Sequence, residues 1–151
     1  YTFTLNPDGG TNNILSYTFE TTDATETAPA VLHYYIKGDA LTAVDGWNVG
    51  TVDEYELKET AADSGVYTIT IELKGTGTFM LWASNEDKNG TVTGTQSDYF
   101  NNGNTTLTTA NNCVVVNGSN YAPAAAGWYT VTLNPNDRTL NISYSATNPA
   151  E

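Results

Sequence analysis

The sequence predicts an all-β protein, an antiparallel β-sandwich of the Ig-like kind. Apolar and polar residues alternate with period two in several short segments, and Gly, Asn, Asp or Pro bounds each of them. No stretch keeps the 3.6-residue period of an amphipathic helix over three turns. The 151 residues suit one domain, or one domain with a short additional element. Many short strands joined by turn-rich links are typical of a sandwich.

The predicted strands follow one another along the chain. The clearest alternating segments, in chain order, are residues 32–36, 67–73, 79–82, 128–133 and 140–144. Residues 84–112 instead carry Asn, Gly, Thr and Asp with few candidates for a core. Long loops on a β scaffold often carry binding residues, so this segment is a candidate binding region.

The first 30 residues are expected to be separate from the main domain. Residues 1–7 (YTFTLNP) match residues 129–135 (YTVTLNP), and each segment precedes a polar turn and a second apolar run. Residues 21–30 are polar and are interpreted as a linker. We therefore expect an N-terminal hairpin and linker over 1–30 and the main β-sandwich domain over 31–151. The hairpin is either the end of a preceding similar module or a part docked on the sandwich.

Charge and composition exclude several classes of partner. The chain has 5 Lys plus Arg against 17 Asp plus Glu, which gives a net charge of -12. Binding to nucleic acid or to an anionic membrane surface requires basic residues that are scarce here. No apolar run approaches the ~20 residues that span a bilayer, so we expect no direct membrane insertion. Abundant Thr and Asn favour an exported module, located outside the cell or on a bacterial cell surface.

Catalytic machinery is hard to assemble from these residues. A Ser-His-Asp or Cys-His arrangement would need His33, the only histidine, which the alternation places outside the core and therefore exposed. Cys113, the only cysteine, precedes three valines and is interpreted as a small buried hydrophobe. A pair of carboxylates could form a small glycosidase, but 17 acidic residues make that signal nonspecific. We therefore expect a protein that is not an enzyme.

One segment bears on cofactors. Asn85, Asp87 and Asn89, followed by Gly90, resemble a short piece of a calcium-binding loop. The terminal bidentate glutamate of such a loop is missing, and a plain turn is the more common reason for this pattern. We expect no cofactor, with Ca²⁺ as the one ion that has a sequence feature in its favour.

The aromatic residues carry more information about function. If Leu81 points into the core, Trp82 points outward, and Tyr35 likewise points away from the core side of its strand. Trp47 lies in a turn-like segment, and Trp128 alternates with core positions. Exposed aromatic rings among uncharged polar groups suit carbohydrate, whose C–H faces pack on rings while hydroxyls bond to amides and carboxylates. The alternative is that these rings only anchor loops.

Three segments of the main domain resemble a known family. They are LHYYIKGDA at 32–40 followed by Gly46-Trp47, SGVYTITI at 64–71 followed by FML at 79–81, and AGWYTVTLN at 126–134. Together they resemble the starch-binding modules of the SusE/SusF outer-membrane type, and more loosely the starch-adherence modules of amylosome-like surface systems. The motifs are short and mostly structural.

The resemblance implies noncatalytic binding of starch or α-1,4-glucan, such as amylose, amylopectin or maltooligosaccharides. It also implies a secreted or cell-surface protein of a gut bacterium, with other modules of the same polypeptide as partners. Trp47 and Trp82 match the family's two aromatic platforms, and Tyr99 is a candidate third surface.

Two further points concern the expected site. Met80 stands where the family often has Lys, so Lys88 or Asn85 is the expected hydroxyl donor instead. Tyr35 completes the candidate carbohydrate-binding residues. The alternative function is an Ig-like spacer or protein-interaction domain without a sugar site.

Overall fold

The computed structural model describes residues 2–5, 15–18, 32–43, 45–50, 52–84 and 96–150. The chain divides into two compact units, Tyr1–Ala30 and Val31–Glu151. In the first unit, β1 (Thr2–Leu5) and β2 (Leu15–Thr18) pair antiparallel, with Phe3 opposite Tyr17. This pair has the alternating sequence that predicts a hairpin.

The second unit confirms the predicted all-β class. Eight of its strands form one curled sheet, and two form a separate hairpin. The strands of the unit are β3 (His33–Lys37), β4 (Glu56–Glu59), β5 (Tyr67–Leu73), β6 (Met80–Ser84), β7 (Gln96–Phe100), β8 (Thr106–Thr109), β9 (Val114–Asn117), β10 (Asn120–Pro123), β11 (Gly127–Asn134) and β12 (Thr139–Ser145).

The strand order of the sheet is β7-β6-β3-β4-β5-β11-β12-β8, and β9 pairs with β10 in the hairpin. All neighbours are antiparallel except β12 and β8, which are parallel. Three 3-10 turns, at Gly46–Asn48, Asp53–Tyr55 and Ala110–Asn112, are the helical elements among the described residues. In that part of the chain no helix has the length and apolarity needed to cross a membrane.

Strand β4 joins the two halves of the sheet. Its first two residues pair with β3, with Glu56 opposite Tyr35, and its last two pair with β5, with Lys58 opposite Thr68. A strand that changes partner part-way along its length forms a corner at which a sheet folds back over itself. The core lies between the two halves.

The core follows the predicted alternation most closely on β11. Tyr129, Val131 and Leu133 are fully buried, whereas Thr130 and Thr132 between them are partly exposed. Thr130 and Thr132 contact Thr70 and Thr68 of β5 through their hydroxyls, at 3.1 and 3.3 Å. One face of this hairpin is therefore apolar and buried, and the other face carries hydroxyl groups.

Cys113 is buried, which confirms its interpretation as a small hydrophobe. Its thiol contacts the carbonyl of Ile142 at 3.5 Å, and burial raises its pKa. The two residues before it, Asn111 and Asn112, both have left-handed backbone angles, with φ of 54° and 51°. Asn tolerates this region better than most residues, although the conformation still costs about 1 kcal/mol for a residue with a Cβ.

Arg138, in the turn between β11 and β12, reaches across to edge strand β7. Its guanidinium donates to the Asp98 carboxylate at 2.8 Å and to the carbonyl oxygens of Tyr99 at 2.7 Å and Asn104 at 2.8 Å. It also lies 4.7 Å from the centre of the Phe100 ring. The planar group thus fixes β7 and the segment after it, through both charge and packing.

We expect Arg138→Ala to lower the free energy of unfolding by about 1–2 kcal/mol, because it removes a partly exposed ion pair and two further hydrogen bonds. For a chain of this size that lowers Tm by roughly 3–6 °C in thermal unfolding. Lys74→Ala is the control, since the side chain of Lys74 is exposed and, among the described residues, hydrogen-bonds to the Asp39 carbonyl alone, at 3.4 Å. Equal melting of both variants would contradict the role of Arg138.

The same interaction predicts a pH dependence. Hydrogen bonds from Arg138 hold the pKa of the Asp98 carboxyl below its ordinary value of 3.8. A carboxyl with a lowered folded-state pKa stabilises the protein above its unfolded pKa and loses this contribution as pH falls through the folded-state pKa. The difference in stability between wild type and Arg138→Ala should therefore shrink as the pH of the unfolding experiment falls below about 4.

Candidate functional site

Three of the candidate residues lie together on the face of β3, β6 and β7 that is turned away from the core. Tyr35 is directly opposite Trp82, which in turn is opposite Tyr99. The Tyr35 and Trp82 ring centres are 5.3 Å apart. Lys37, two residues after Tyr35, places its Nζ 5.3 Å from the Trp82 ring centre and 5.6 Å from that of Tyr99. We call Tyr35, Lys37, Trp82 and Tyr99 the aromatic face.

The strand register explains this grouping. Residues two apart on a strand share a face, and directly opposite residues on neighbouring strands lie within contact distance. Tyr35 and Trp82 are absent from the core cluster that contains Ile36 and Leu81, which alternate with them. The predicted direction of both side chains is therefore confirmed.

Their predicted exposure is wrong. Trp82 is 5% exposed and Tyr35 is 0% exposed, so neither ring offers an open platform. The period of a strand determines which face a residue occupies, but it does not determine whether that face is covered. Tyr99, on edge strand β7, is 46% exposed, in agreement with its proposed role as a surface.

The buried indole of Trp82 has an unusual feature. Its Nε1–H has no hydrogen-bond acceptor among the described residues, although the atom is shielded from solvent. A buried donor without a partner costs about 1–3 kcal/mol. Packing against Tyr35 and the Lys37 ammonium group offsets part of this cost.

Lys37 is a residue that the sequence reasoning missed. It lies directly opposite Met80 on the neighbouring strand, and its ammonium group contacts the Trp82 and Tyr99 rings. Burial lowers the pKa of Lys37. The sequence feature that could have identified Lys37 is its position two residues after Tyr35, because residues two apart on a strand share a face.

A cluster of ion pairs centred on Glu56 of β4 borders the aromatic face, since Glu56 lies opposite Tyr35. The buried Glu56 carboxylate bonds to His33 Nδ1 at 2.7 Å and to Lys58 Nζ, which also bonds to Asp53 at 2.9 Å. The His33 ring centre is 6.5 Å from that of Tyr35. His33 was expected to be exposed, but its side chain is only 26% exposed because Glu56 holds it against the sheet.

Trp47 occupies a separate position, in the 3-10 turn Gly46–Asn48, and is partly buried. Its side chain hydrogen-bonds to Asp39, whose carboxylate also accepts from the Thr78 backbone N–H at 2.6 Å. The Thr78 bond is the main cause that lowers the pKa of Asp39, and the Trp47 bond adds to it. Asp39 therefore stays ionised and contacts both Thr78 and the Trp47 indole.

The corner at Gly38-Asp39-Ala40, which follows β3, depends on close approach of two backbone segments. A Cβ on Gly46 would lie 1.8 Å from the Gly38 carbonyl oxygen, and the Gly38 N–H donates to Gly46 at 2.8 Å. A Cβ on Gly38 would lie 2.1 Å from the Thr78 carbonyl oxygen. Only glycine therefore fits at both positions, and the turn that carries Trp47 can pack against the corner. None of the contacts among described residues joins Trp47 directly to the aromatic face.

The remaining candidate residues lie in a segment outside the described residues. Asn85 and Lys88 lie outside the described residues, as do Asp87, Asn89 and Gly90 of the calcium-loop hypothesis. The described part of the site therefore consists of the aromatic face and the separate Trp47–Asp39 pair.

The fold and these residues define an all-β, sandwich-like protein with an aromatic patch at an edge strand. No protein-family model, curated protein or solved structure matches the chain.

We expect Trp82→Phe to change the free energy of unfolding by less than about 1 kcal/mol, although the residue is buried. Loss of packing is offset by removal of an unpaired donor. The control is Tyr129→Phe, because the buried Tyr129 hydroxyl donates to the Ala125 carbonyl at 2.7 Å. Chemical denaturation should show a loss of about 1–2 kcal/mol for the control. A larger loss for Trp82→Phe than for Tyr129→Phe would contradict this account.

Proposed function

We propose that this chain is a noncatalytic module that binds starch-type α-glucan, within a secreted or cell-surface protein. The observation that carries the proposal is the exposed Tyr99 ring, with the Lys37 ammonium group beside it and Trp82 as its direct neighbour. A sugar ring can place its C–H face on Tyr99 while a hydroxyl oxygen accepts a hydrogen bond from Lys37. Trp82 then acts as a support for the platform.

Trp47 is the second contact surface in this proposal. Asp39 holds its indole in one orientation, and the partial exposure of Trp47 leaves part of the ring accessible. A ring fixed in this way loses little side-chain entropy on binding. Two partly exposed aromatic rings favour a ligand with C–H faces, and the Lys37 ammonium and Asp39 carboxylate beside them can bond to its hydroxyls.

A single module of this kind binds weakly, with Kd roughly between micromolar and millimolar. Further modules on the same polypeptide would raise the avidity by increasing the effective concentration of binding sites. These modules and the glucan are the proposed partners.

The burial of Trp82 and Tyr35 favours one alternative. With both rings covered, an Ig-like spacer or protein-interaction domain without a sugar site needs fewer assumptions about the aromatic face. Its exposed apolar residues include Val115 and Val116 on β9. The two functions differ in whether polysaccharide retards the protein.

Native affinity electrophoresis in gels that contain amylopectin, pullulan, dextran or xylan separates these functions. We expect amylopectin to retard the wild-type protein and Tyr99→Ala to weaken binding at least fivefold, about 1 kcal/mol. Trp47→Ala should also weaken it. Val116→Ala, which shortens an exposed apolar residue away from the aromatic face, should migrate as wild type.

Three outcomes would contradict the proposal or restrict it. If no polysaccharide retards the wild-type protein, the spacer function is favoured. Retardation by xylan alone would reject an α-glucan ligand. Equal retardation of wild type and Tyr99→Ala, with both proteins folded by circular dichroism, would reject the aromatic face as the site.

A further inference from the structure

A cavity lies at the other end of the β11–β12 hairpin from Arg138. It has a volume of about 210 Å³, and its lining includes Asn111, Asn112, Tyr129 and Tyr144. Tyr144 is six residues from Arg138 along β12, a distance of roughly 20 Å at about 3.3 Å per residue. The cavity is therefore built from residues other than the aromatic face and depends on none of them.

Two tyrosine rings form part of the cavity wall, beside three alanines and Cys113. The Tyr129 and Tyr144 ring centres are 5.2 Å apart, with Tyr129 fully buried and Tyr144 40% exposed. Both hydroxyls are occupied, since Tyr129 donates to the Ala125 carbonyl and Tyr144 donates to the Ala126 carbonyl at 3.1 Å. The two tyrosines thus contribute ring surface to the cavity, while their polar ends are used within the protein.

The polar groups at the cavity come from Asn111 and Asn112. Both residues are exposed, and neither side chain bonds to another residue in the part of the chain that the structure describes. Their left-handed backbone conformation would be easier for glycine, yet both positions carry an amide side chain. Each amide offers two donors and one acceptor without charge.

The lining of the cavity is electrically neutral. It contains no Asp, Glu, Lys or Arg, although the chain as a whole has a net charge of -12. An anionic ligand would find no cation here, and a cationic ligand would find no carboxylate. The volume is below the roughly 300 Å³ at which pockets for drug-sized ligands begin, so a ligand of one ring fits better than a chain.

We propose that this cavity binds one neutral pyranose ring, such as a terminal residue of a glycan. The C–H face of the sugar packs on Tyr144, and its hydroxyls exchange hydrogen bonds with the Asn111 and Asn112 amides. A hydroxyl both donates and accepts, which matches an amide better than a charged group.

The test is an NMR titration of the ¹⁵N-labelled chain with methyl α-D-glucopyranoside and, separately, methyl β-D-galactopyranoside. Glucuronate serves as the charged probe and glycerol as the probe without a ring. We expect at least one neutral glycoside to cause saturable shifts at the backbone amides of residues 110–113 and 124–126. Glucuronate and glycerol should cause none.

Variants separate binding from folding. The double variant Asn111→Gly/Asn112→Gly removes both amides and relieves the left-handed conformation, so Tm should stay the same or rise while Kd increases at least tenfold. Asp63→Gly is the matched control, since exposed Asp63 has φ of 57° and does not line the cavity. It should bind as wild type. Tyr144→Ala should weaken binding, whereas Tyr99→Ala should not.

The proposal is overturned if neither glycoside shifts these amides, or if the double glycine variant binds as tightly as Asp63→Gly. It is also overturned if glycerol gives the same shifts as a glycoside. Shifts confined to Tyr99 and Lys37 would reject this cavity and support the aromatic face instead. Loss of binding at the cavity alone leaves the proposed glucan site intact.

Discussion

The divided pairing of β4 is the interaction on which the rest of the structure depends. Two of its residues bond to β3 and the next two bond to β5, so one short strand turns a single sheet into two facing layers. The apolar residues of both layers can then share one core. The same corner carries Glu56, whose bonds to His33 and Lys58 link polar groups of β3 and β4 on the opposite side.

The curl of the sheet also couples stability to the candidate site. Tyr99 stands on β7, at one end of the strand order, and among the strands that the structure describes β7 pairs with β6 alone. Arg138 supplies further bonds from the β11–β12 turn, including one to the Tyr99 carbonyl. A residue about 40 positions later in the chain therefore fixes the backbone that carries the exposed ring. The position of Tyr99 thus depends on correct packing of the two halves of the sheet.

The two proposed binding surfaces differ in charge. The aromatic face carries one ammonium group between two rings, whereas the cavity beside Asn112 and Tyr144 is lined by amides, tyrosine rings, alanines and Cys113. A net charge of -12 repels anions, while the cavity without charged residues remains suitable for a neutral, hydroxyl-rich ligand. The distribution of charge, more than its total, thus bears on the function.

The sequence by itself determined the β class, the alternation of β11 and the faces occupied by Trp82 and Tyr35, because side-chain direction follows from strand period. It also indicated that Cys113 is buried, since valines follow it directly. Only the tertiary structure decided that Trp82 and Tyr35 are covered, because burial depends on what packs over a face. It likewise decided the contact of Lys37 with Tyr99 and the cavity between Asn112 and Tyr144, which join segments far apart in the chain.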